Sequence, residues 1–269
     1  MTSPFRDLDR PPLREAALRR ALVAGSGLWT DIRVVESSPS TNADVAEAAR
    51  EGAPEGLVIV AESQTAGRGR RDRSWTTPPR AGLTLSVLLR PTFPAAGWGW
   101  LPLLAGLAVA HPLTRLAEVD VRLKWPNDVL VGERKLGGLL SEVVGTAVVI
   151  GIGLNVSLRA DELPVPAATS LAIEDSAVVD RDPVLRAVLR DLERRYVDLT
   201  RASGDAAASG LAAAYREACA TLGRDVRVEL PGPQVLEGRA VDVDAEGRLV
   251  LDVGGRRETV AAGDVVHVR

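Results

Sequence analysis

The stretch "VRLKWPNDVLVGERKLGGLLSEVV", Val121 to Val144, decides the fold. Branched and aliphatic residues flank "PND" and "GER", two short segments whose Pro, Asn, Asp and Gly favour tight turns. The stretch therefore reads as strand, turn, strand, turn, strand. "AVVIGIGLNVSL", Ala147 to Leu158, adds another apolar strand ending in glycines and Asn155. Hairpin-like runs with only a few helices favour an α+β domain around a mixed or antiparallel sheet over a doubly wound parallel one.

Upstream, "IRVVESSPSTNADVAEAAREG" predicts a strand at Ile32 to Val35, then a helix capped by a small polar side chain from Ser40, Thr41 or Asn42. Amides at such a helix start suit a carboxylate or phosphate, and capping alone explains them equally well. Leu57 to Ala61 reads as a buried strand, and "LTLSVLLRP" as the next. Between them, Glu62 to Gly82 has no periodic apolar positions, and so long a segment in a compact domain marks a lid or binding segment. "WLPLLAGLAVAHPLTRL" predicts a helix broken or bent near Pro112. Val184, Leu185, Val188, Leu189, Leu192 and Tyr196 mark one face of a second helix, and a third spans roughly Gly210 to Cys219.

From Gly223 onward valines alternate between glycine turns. This predicts a small all-β unit, a barrel of SH3-like size, too short to stand alone and so packed on the first domain. The first residues hold Pro4, Pro11 and Pro12 and one short helix, "LREAALRRALV". The expected division is an arm over 1–31, a mixed-sheet domain over 32–221 and the β unit over 222–269.

Composition narrows the function. The 269 residues are 46% apolar and 26% charged with a formal net charge of −3, an ordinary folded protein without a general polyanion-binding surface. A single cysteine, Cys219, excludes an internal disulfide, and His111 and His267 lie too far apart in sequence to suggest a transition-metal cluster. The apolar runs fall short of a membrane span and the amino terminus has no signal-type segment, so a cytoplasmic protein without membrane contact is expected. Residues 1–31 are too few for a helix-turn-helix or winged-helix module, so no DNA contact is expected.

Against that background "QTAGRGRRDRSW", Gln64 to Trp75, concentrates Arg68, Arg70, Arg71 and Arg73 beside Gly67 and Gly69. Guanidinium groups match phosphate oxygens with paired donors, and glycines let backbone amides approach an anion. A solvated charge run is the plain alternative. Trp75 either stacks on a flat ring or anchors the loop in an apolar crevice. In "KWPND", Lys124 at a strand end beside Asn127 and Asp128 makes a clamp for a phosphate or carboxylate, or equally a tight hairpin with a surface lysine. Lys135 precedes Gly137 and Gly138 at another strand boundary, so the two lysines bracket one hairpin and can address one small anion. A nucleotide fits this set, although neither a Walker loop nor a dinucleotide fingerprint is present.

"STN" (40–42), "QTAGRGRRDRSW" (64–75), "KWPND" (124–128), "KLGGLLSE" (135–142) and "GIGLNV" (151–156), in this order, resemble the biotin protein ligases, from about residue 32 to the final β unit. The resemblance implies an α+β catalytic domain of the biotin/lipoate ligase type followed by an SH3-like domain. It implies a two-step reaction: biotin and ATP with Mg2+ give biotinyl-5'-AMP and pyrophosphate, and the biotinyl group then passes to a lysine of a biotin carboxyl carrier domain of acetyl-CoA or related carboxylases.

Carried over by position, Ser40, Thr41 and Gln64 resemble the groups around the biotin head, and Asn42 joins them through the "STN" motif. The segment from Gly67 to Arg73 resembles the ligand-responsive loop over the adenylate, and Trp75 the aromatic of the adenine pocket. Lys135 resembles the lysine on the biotin carboxylate and bridging oxygen, Lys124 and Asn127 fall on the phosphate side, and Asn155 falls near adenine. Lys135, Lys124 and Arg70 are the expected catalytic residues, with Gly137 and Gly138 leaving room for the biotin chain.

Two positions depart from the family pattern. Asp72 replaces a glycine of the loop and is expected to pair with a neighbouring arginine. Ser157 stands where many relatives have a second asparagine. The alternatives are a lipoate or octanoate ligase and a nonenzymatic nucleic-acid-binding module, the latter leaving the lysine and glycine clamp without a purpose. A monomer or weak homodimer is expected.

Overall fold

The computed structural model describes residues 10–23, 25, 27–230 and 233–268, and of Asp72 the backbone alone. The hairpin stretch folds as three antiparallel strands, β4 (Val121–Lys124), β5 (Asp128–Val131) and β6 (Arg134–Val144), with β7 (Ala147–Asn155) following β6 through a turn at Gly145. With β1 (Asp31–Val35), which follows a short helix α1 (Glu15–Leu22), β2 (Leu57–Ala61) and β3 (Gly82–Leu89) they make a seven-stranded sheet of order β1-β2-β3-β7-β6-β5-β4. The β1–β2 pair is parallel, because α2 (Thr41–Arg50) supplies the crossover that parallel neighbours require, and the other pairs are antiparallel.

The two central strands, β3 and β7, read as apolar runs because both faces are covered. Leu83, Leu85, Val87 and Leu89 of β3 and Ile150, Ile152 and Leu154 of β7 enter the main core, which α3 (Trp100–Leu116) and α4 (Arg181–Arg201) complete. The opposite face of the sheet packs Leu88 and Val149 against Val45, Ala46 and Ala49 of α2. Thr84 and Ser86 share that face with Leu88 by the two-residue strand period, and both are buried polar residues. The apolar face expected for α4 is buried in full, from Val184 to Tyr196.

The helix over "WLPLLAGLAVAHPLTRL" is not broken at Pro112: α3 runs continuously to Leu116. An internal proline costs a helix ~3 kcal/mol. Here the fully buried Leu101, Leu104 and Leu107 and the packing of α3 on α4 outweigh it.

The carboxy-terminal unit is a five-stranded antiparallel sheet of β8 (Asp225–Glu229), β9 (Val235–Val243), β10 (Leu249–Val253), β11 (Arg256–Val260) and β12 (Asp264–His267), ordered β11-β10-β9-β8-β12. Its β9–β10 turn docks on the start of α3. Trp100 Nε1 donates to Ala245 O at 3.0 Å and Trp125 Nε1 to Gly247 O at 3.1 Å. Gly99 permits this approach, because a Cβ there would lie 2.1 Å from Glu246 O. Thr221 Oγ1 accepts from Trp125 N at 3.1 Å and lies 3.2 Å from His267 Nε2, so "KWPND" is held from the carboxy-terminal side as well. Burial, then the charges of Lys124 and Arg224, push the His267 pKa down to about 4. Among the described residues no helix is long and apolar enough to cross a membrane.

Glu62, the first residue after β2, is buried with Arg181 of α4 at 2.6 Å. Its other oxygen accepts from Leu13 N at 2.6 Å, and Arg181 Nη2 donates to Pro11 O at 2.7 Å. The start of the arginine segment is thereby pinned between the amino-terminal arm and α4.

Removing one partner of a buried pair strands the other charge, so Arg181→Met should lower unfolding free energy by ~3–5 kcal/mol in urea titrations. Adding Glu62→Gln should recover part of that loss, and a double variant no better than the single would refute the pairing. His267 titrates from 6.5 in an unfolded chain to about 4 in the folded protein, so the unfolded state binds more protons between those values. The His267 contribution to stability is intact above pH 6.5 and lost as pH falls toward 4. His267→Gln should flatten the stability–pH slope in that window, measured by urea midpoints, and an unchanged slope would contradict the assignment.

Candidate active site

A cleft of about 950 Å3 lies between the start of α2, the ends of β6 and β7, the arginine segment and the carboxy-terminal sheet. Its polar end is assembled by α2. Ser40 is the N-cap residue, yet its side chain makes no cap hydrogen bond; Gln64 Oε1, from another segment, accepts from Thr41 N at 2.9 Å instead. The sequence places a small polar cap here, and the structure replaces it with a carboxamide that also lies 3.1 Å from Thr41 Oγ1. Ser40, Thr41, Asn42 and Gln64 all line the cleft.

Asn42 is nonetheless committed inward. Its Nδ2 donates to Glu142 Oε2 at 2.9 Å and Leu140 O at 3.3 Å, and its Oδ1 accepts from Ser86 Oγ at 2.6 Å. Gly151 makes room, since a Cβ there would lie 2.2 Å from Asn42 Oδ1. Ser86, Glu142 and Gly151 were not singled out from sequence. The signal available was a pair of hydroxyl residues, Thr84 and Ser86, inside an otherwise apolar strand.

Lys135 Nζ lies 2.6 Å from Asp128 Oδ1, at side-chain exposures of 34% and 22%. Strand register sets Asp128 opposite both Lys124 and Gly138. A methyl at Gly138 would press on Lys135 Cε and Nζ at 3.3 and 3.4 Å, so glycine keeps the ammonium unobstructed. Gly137 has a different physical reason: it does not line the cleft, and its Cβ would meet Gly153 O at 2.6 Å, so strand approach rather than ligand room requires it. Asn127 Nδ2 donates to Leu139 O at 3.0 Å and its Oδ1 accepts from Arg70 Nη1 at 3.1 Å. Lys124 and Asn155 also line the cleft, with the Asn155 carboxamide donating to Thr169 O at 2.9 Å.

The arginine segment is a short hairpin: Gly69 N donates to Arg73 O at 2.6 Å and Trp75 N to Gly67 O at 2.8 Å. Gly67 sits off the cleft and is required by closure, its Cβ otherwise lying 2.4 Å from Trp75 O. Arg71 adopts the left-handed region (φ 54°), which costs a non-glycine residue ~1–2 kcal/mol.

Contacts to the carboxy-terminal unit hold the hairpin there. Arg70 Nη1 donates to Gly263 O at 3.2 Å, Arg71 Nη2 to Glu229 O and Leu230 O at 3.2 and 2.9 Å, and Arg73 pairs with Asp264. Arg68, Arg70 and Arg73 line the cleft, and Arg71 lines a smaller adjoining one of about 390 Å3. Burial lowers the Arg70 pKa while Asp264 and Asp128 oppose the shift; a guanidinium remains a cation throughout.

The Trp75 ring lies on Gly153, where a Cβ would be 2.5 Å from the indole, and its Nε1 is buried with no hydrogen-bond partner among the described residues. The Asp72 side chain, and the pairing expected of it, lie outside the described residues. Ser157 is off the cleft, its N and Oγ facing Ala81 O at 2.8 and 3.3 Å. The carboxy-terminal unit forms part of the wall through Glu229, Asp264, Val265 and Val266, a contribution without local sequence signal. Among the described residues no three His, Cys, Asp or Glu side chains gather as a metal cage.

The protein is a seven-stranded mixed sheet with an appended β unit, bearing a cleft whose one end is uncharged and polar and whose other end gathers lysines and arginines under a hairpin. Residues 34–156 match the Biotin/lipoate A/B protein ligase family and residues 221–268 the Biotin protein ligase C terminal domain. The chain belongs to the biotin protein ligases.

It is 48% identical to the biotin--[acetyl-CoA-carboxylase] ligase of Mycobacterium tuberculosis over 98% of this chain and 99% of that one. It is 33% identical to the bifunctional ligase/repressor BirA of Bacillus subtilis over 84% of this chain and 70% of the relative. The Aquifex aeolicus biotin protein ligase, solved in complex with biotin and ATP, superposes with a TM-score of 0.72 at 27% identity, covering 90% of this chain and 100% of that one.

Asp264 joins Arg71 and Arg73 to the carboxy-terminal sheet. Asp264→Asn should raise the rate of tryptic cleavage within residues 68–73 roughly 5-fold, the effect of ~1 kcal/mol of partly exposed ion pairing. The thermal midpoint should barely move. Equal cleavage rates would mean that Asp264 does not hold the hairpin.

Proposed function

We propose that the protein joins biotin to ATP, forming biotinyl-5'-AMP, and transfers the biotinyl group to a lysine of a biotin carboxyl carrier domain of acetyl-CoA or a related carboxylase. The observation that carries the reading is the convergence of Lys135, Lys124 and Arg70 on one cleft whose opposite end is the uncharged pair Thr41 and Gln64. An acid with a polar, uncharged head and a carboxylate tail fits that polarity. The near full-length similarity to the Mycobacterium tuberculosis ligase supports the same reaction.

Attack of a carboxylate on the α-phosphate brings two anions together, so the site must supply positive charge and needs no protein nucleophile. Lys135, aimed by its 2.6 Å contact with Asp128, faces the biotin carboxylate and the oxygen that will bridge to phosphorus. Lys124 and Arg70 take the phosphate side, Asn127 fixes Arg70, and Trp75 and Asn155 flank the adenine position. Asp128 is engaged with Lys135. The carboxylates on the wall include Asp128, Glu229 and Asp264, all three already paired with cations. Mg2+ therefore arrives on the triphosphate as part of the nucleotide substrate, where it offsets phosphate charge. The hairpin of Arg68 to Arg73 covers the mixed anhydride and keeps water from it until the carrier arrives.

We assign residues 1–31 to an arm, 32–221 to the catalytic domain and 222–269 to the SH3-like domain. The protein acts in the cytoplasm on ATP and a carrier domain, without DNA, as a monomer or weak homodimer.

Incubation with ATP, Mg2+, a carrier domain and labelled biotin or lipoate should transfer biotin; transfer of lipoate but not biotin would overturn the reading. Lys135→Ala should cut the rate of biotinyl-AMP formation by ~100-fold or more, the scale of losing a charge-stabilising donor. Normal accumulation would remove Lys135 from this role.

A further inference from the structure

At the polar end of the cleft three oxygen–oxygen contacts share two protons. Gln64 Oε1 lies 3.1 Å from Thr41 Oγ1, Thr41 Oγ1 lies 2.8 Å from Ser86 Oγ, and Ser86 Oγ lies 2.6 Å from Asn42 Oδ1. Both ends of the chain are amide oxygens, which only accept. Their orientation is set by neighbours: Asn42 Nδ2 faces the acceptors Glu142 Oε2 and Leu140 O, and Gln64 Oε1 receives Thr41 N. Each hydroxyl contributes one proton, so one of the three contacts has none.

The shortest contact, between the buried Ser86 and Asn42, takes the Ser86 proton. Ser86 Oγ then accepts the Thr41 proton. Thr41 Oγ1 is in donor geometry to both Gln64 Oε1 and Ser86 Oγ, and once its one proton goes to the closer Ser86, none remains on the longest contact, between Thr41 Oγ1 and Gln64 Oε1. Both residues line the cleft, and two converging acceptors in a buried site call for a donor from the ligand.

We propose that Asn42, Ser86 and Glu142 are positioning residues that orient this proton chain, so that Thr41 and Gln64 present a paired acceptor to a ureido N–H of biotin. The inference rests on the biotin reading above. Glu142 fixes Asn42, Asn42 fixes Ser86, and Ser86 draws the Thr41 proton away from Gln64. The arrangement selects a cyclic urea over an acid whose ring carries no N–H, such as a dithiolane, because such a ring leaves the acceptors unpaired. Gly151 is part of the device, since any side chain there would displace the Asn42 oxygen.

The test compares biotin with its two ureido N-methyl derivatives by calorimetry on the full-length wild-type, Ser86→Ala and Glu142→Gln proteins. Ser86→Ala lets Thr41 donate to Gln64. Glu142→Gln offers Asn42 a donor, permits its carboxamide to turn over and reverses the chain. Both variants should weaken biotin binding roughly 10- to 100-fold, with ATP affinity, thermal midpoint and kcat at saturating biotin close to wild type.

In the wild type one N-methyl derivative should bind far more weakly than biotin, and in both variants that difference should shrink several-fold. An unchanged N-methyl penalty in either variant, whether or not biotin affinity falls, would overturn the proton chain and leave Ser86 and Glu142 as packing residues. A wild type that fails to bind biotin at all would overturn the biotin reading instead.

Discussion

The cleft is built on a strip of bare backbone. Gly151, Gly153 and Asn155 are alternate residues of β7 and face the same side, while Ile150, Ile152 and Leu154 enter the core. Gly151 admits Asn42 from α2, Gly153 admits the Trp75 indole, and the Gly153 carbonyl closes on Gly137 of β6. A side chain at 151 or 153 would drive apart the polar end or the aromatic wall. The pairing of Thr84 with Gly153 and Ser86 with Gly151 brings hydroxyls beside the same strip. The polar end and the aromatic wall are thus both referred to one strand whose other face is locked into the main core.

Charge is arranged on top of that strip by two kinds of support. Lys124 and Lys135 sit at strand positions, Lys124 in register with Asp128 and Lys135 in contact with its carboxylate, so their placement depends on short-range register. The arginines depend on long-range contacts with Gly263, Asp264, Glu229 and Leu230 of the carboxy-terminal sheet. This division would suit the proposed reaction, with lysines in place for the first step and a hairpin that later yields to a protein substrate. It also gives the small β unit a part in the wall of the cleft.

Much of this was legible where local pattern determines structure. The turns at "PND" and "GER" and the apolar periods of β2, β3, β7 and α4 correspond to elements of the fold, and the ordered motifs lie around one cleft. Where sequence reading failed, a distant partner or packing prevailed over a local rule. Pro112 did not break α3, because the helix is buried on nearly every side. Ser40 did not cap α2, because Gln64 reaches the same amide from the next loop. Gly137 looked like room for a ligand and is instead a contact between strands. Asp264 and Ser86 carried no motif: one acts through a fold contact far along the chain, and the other meets its partner Asn42 only once α2 packs on the sheet.

The most direct measurement is a crystal structure of the protein grown with biotin, ATP and Mg2+. The account predicts biotinyl-AMP in the cleft, its ureido ring against Thr41 and Gln64, its acyl–phosphate linkage within hydrogen-bond reach of Lys135 Nζ, and its adenine beside Trp75. An adenylate bound in the reverse direction, or one whose acyl–phosphate linkage lies away from Lys135, would contradict it.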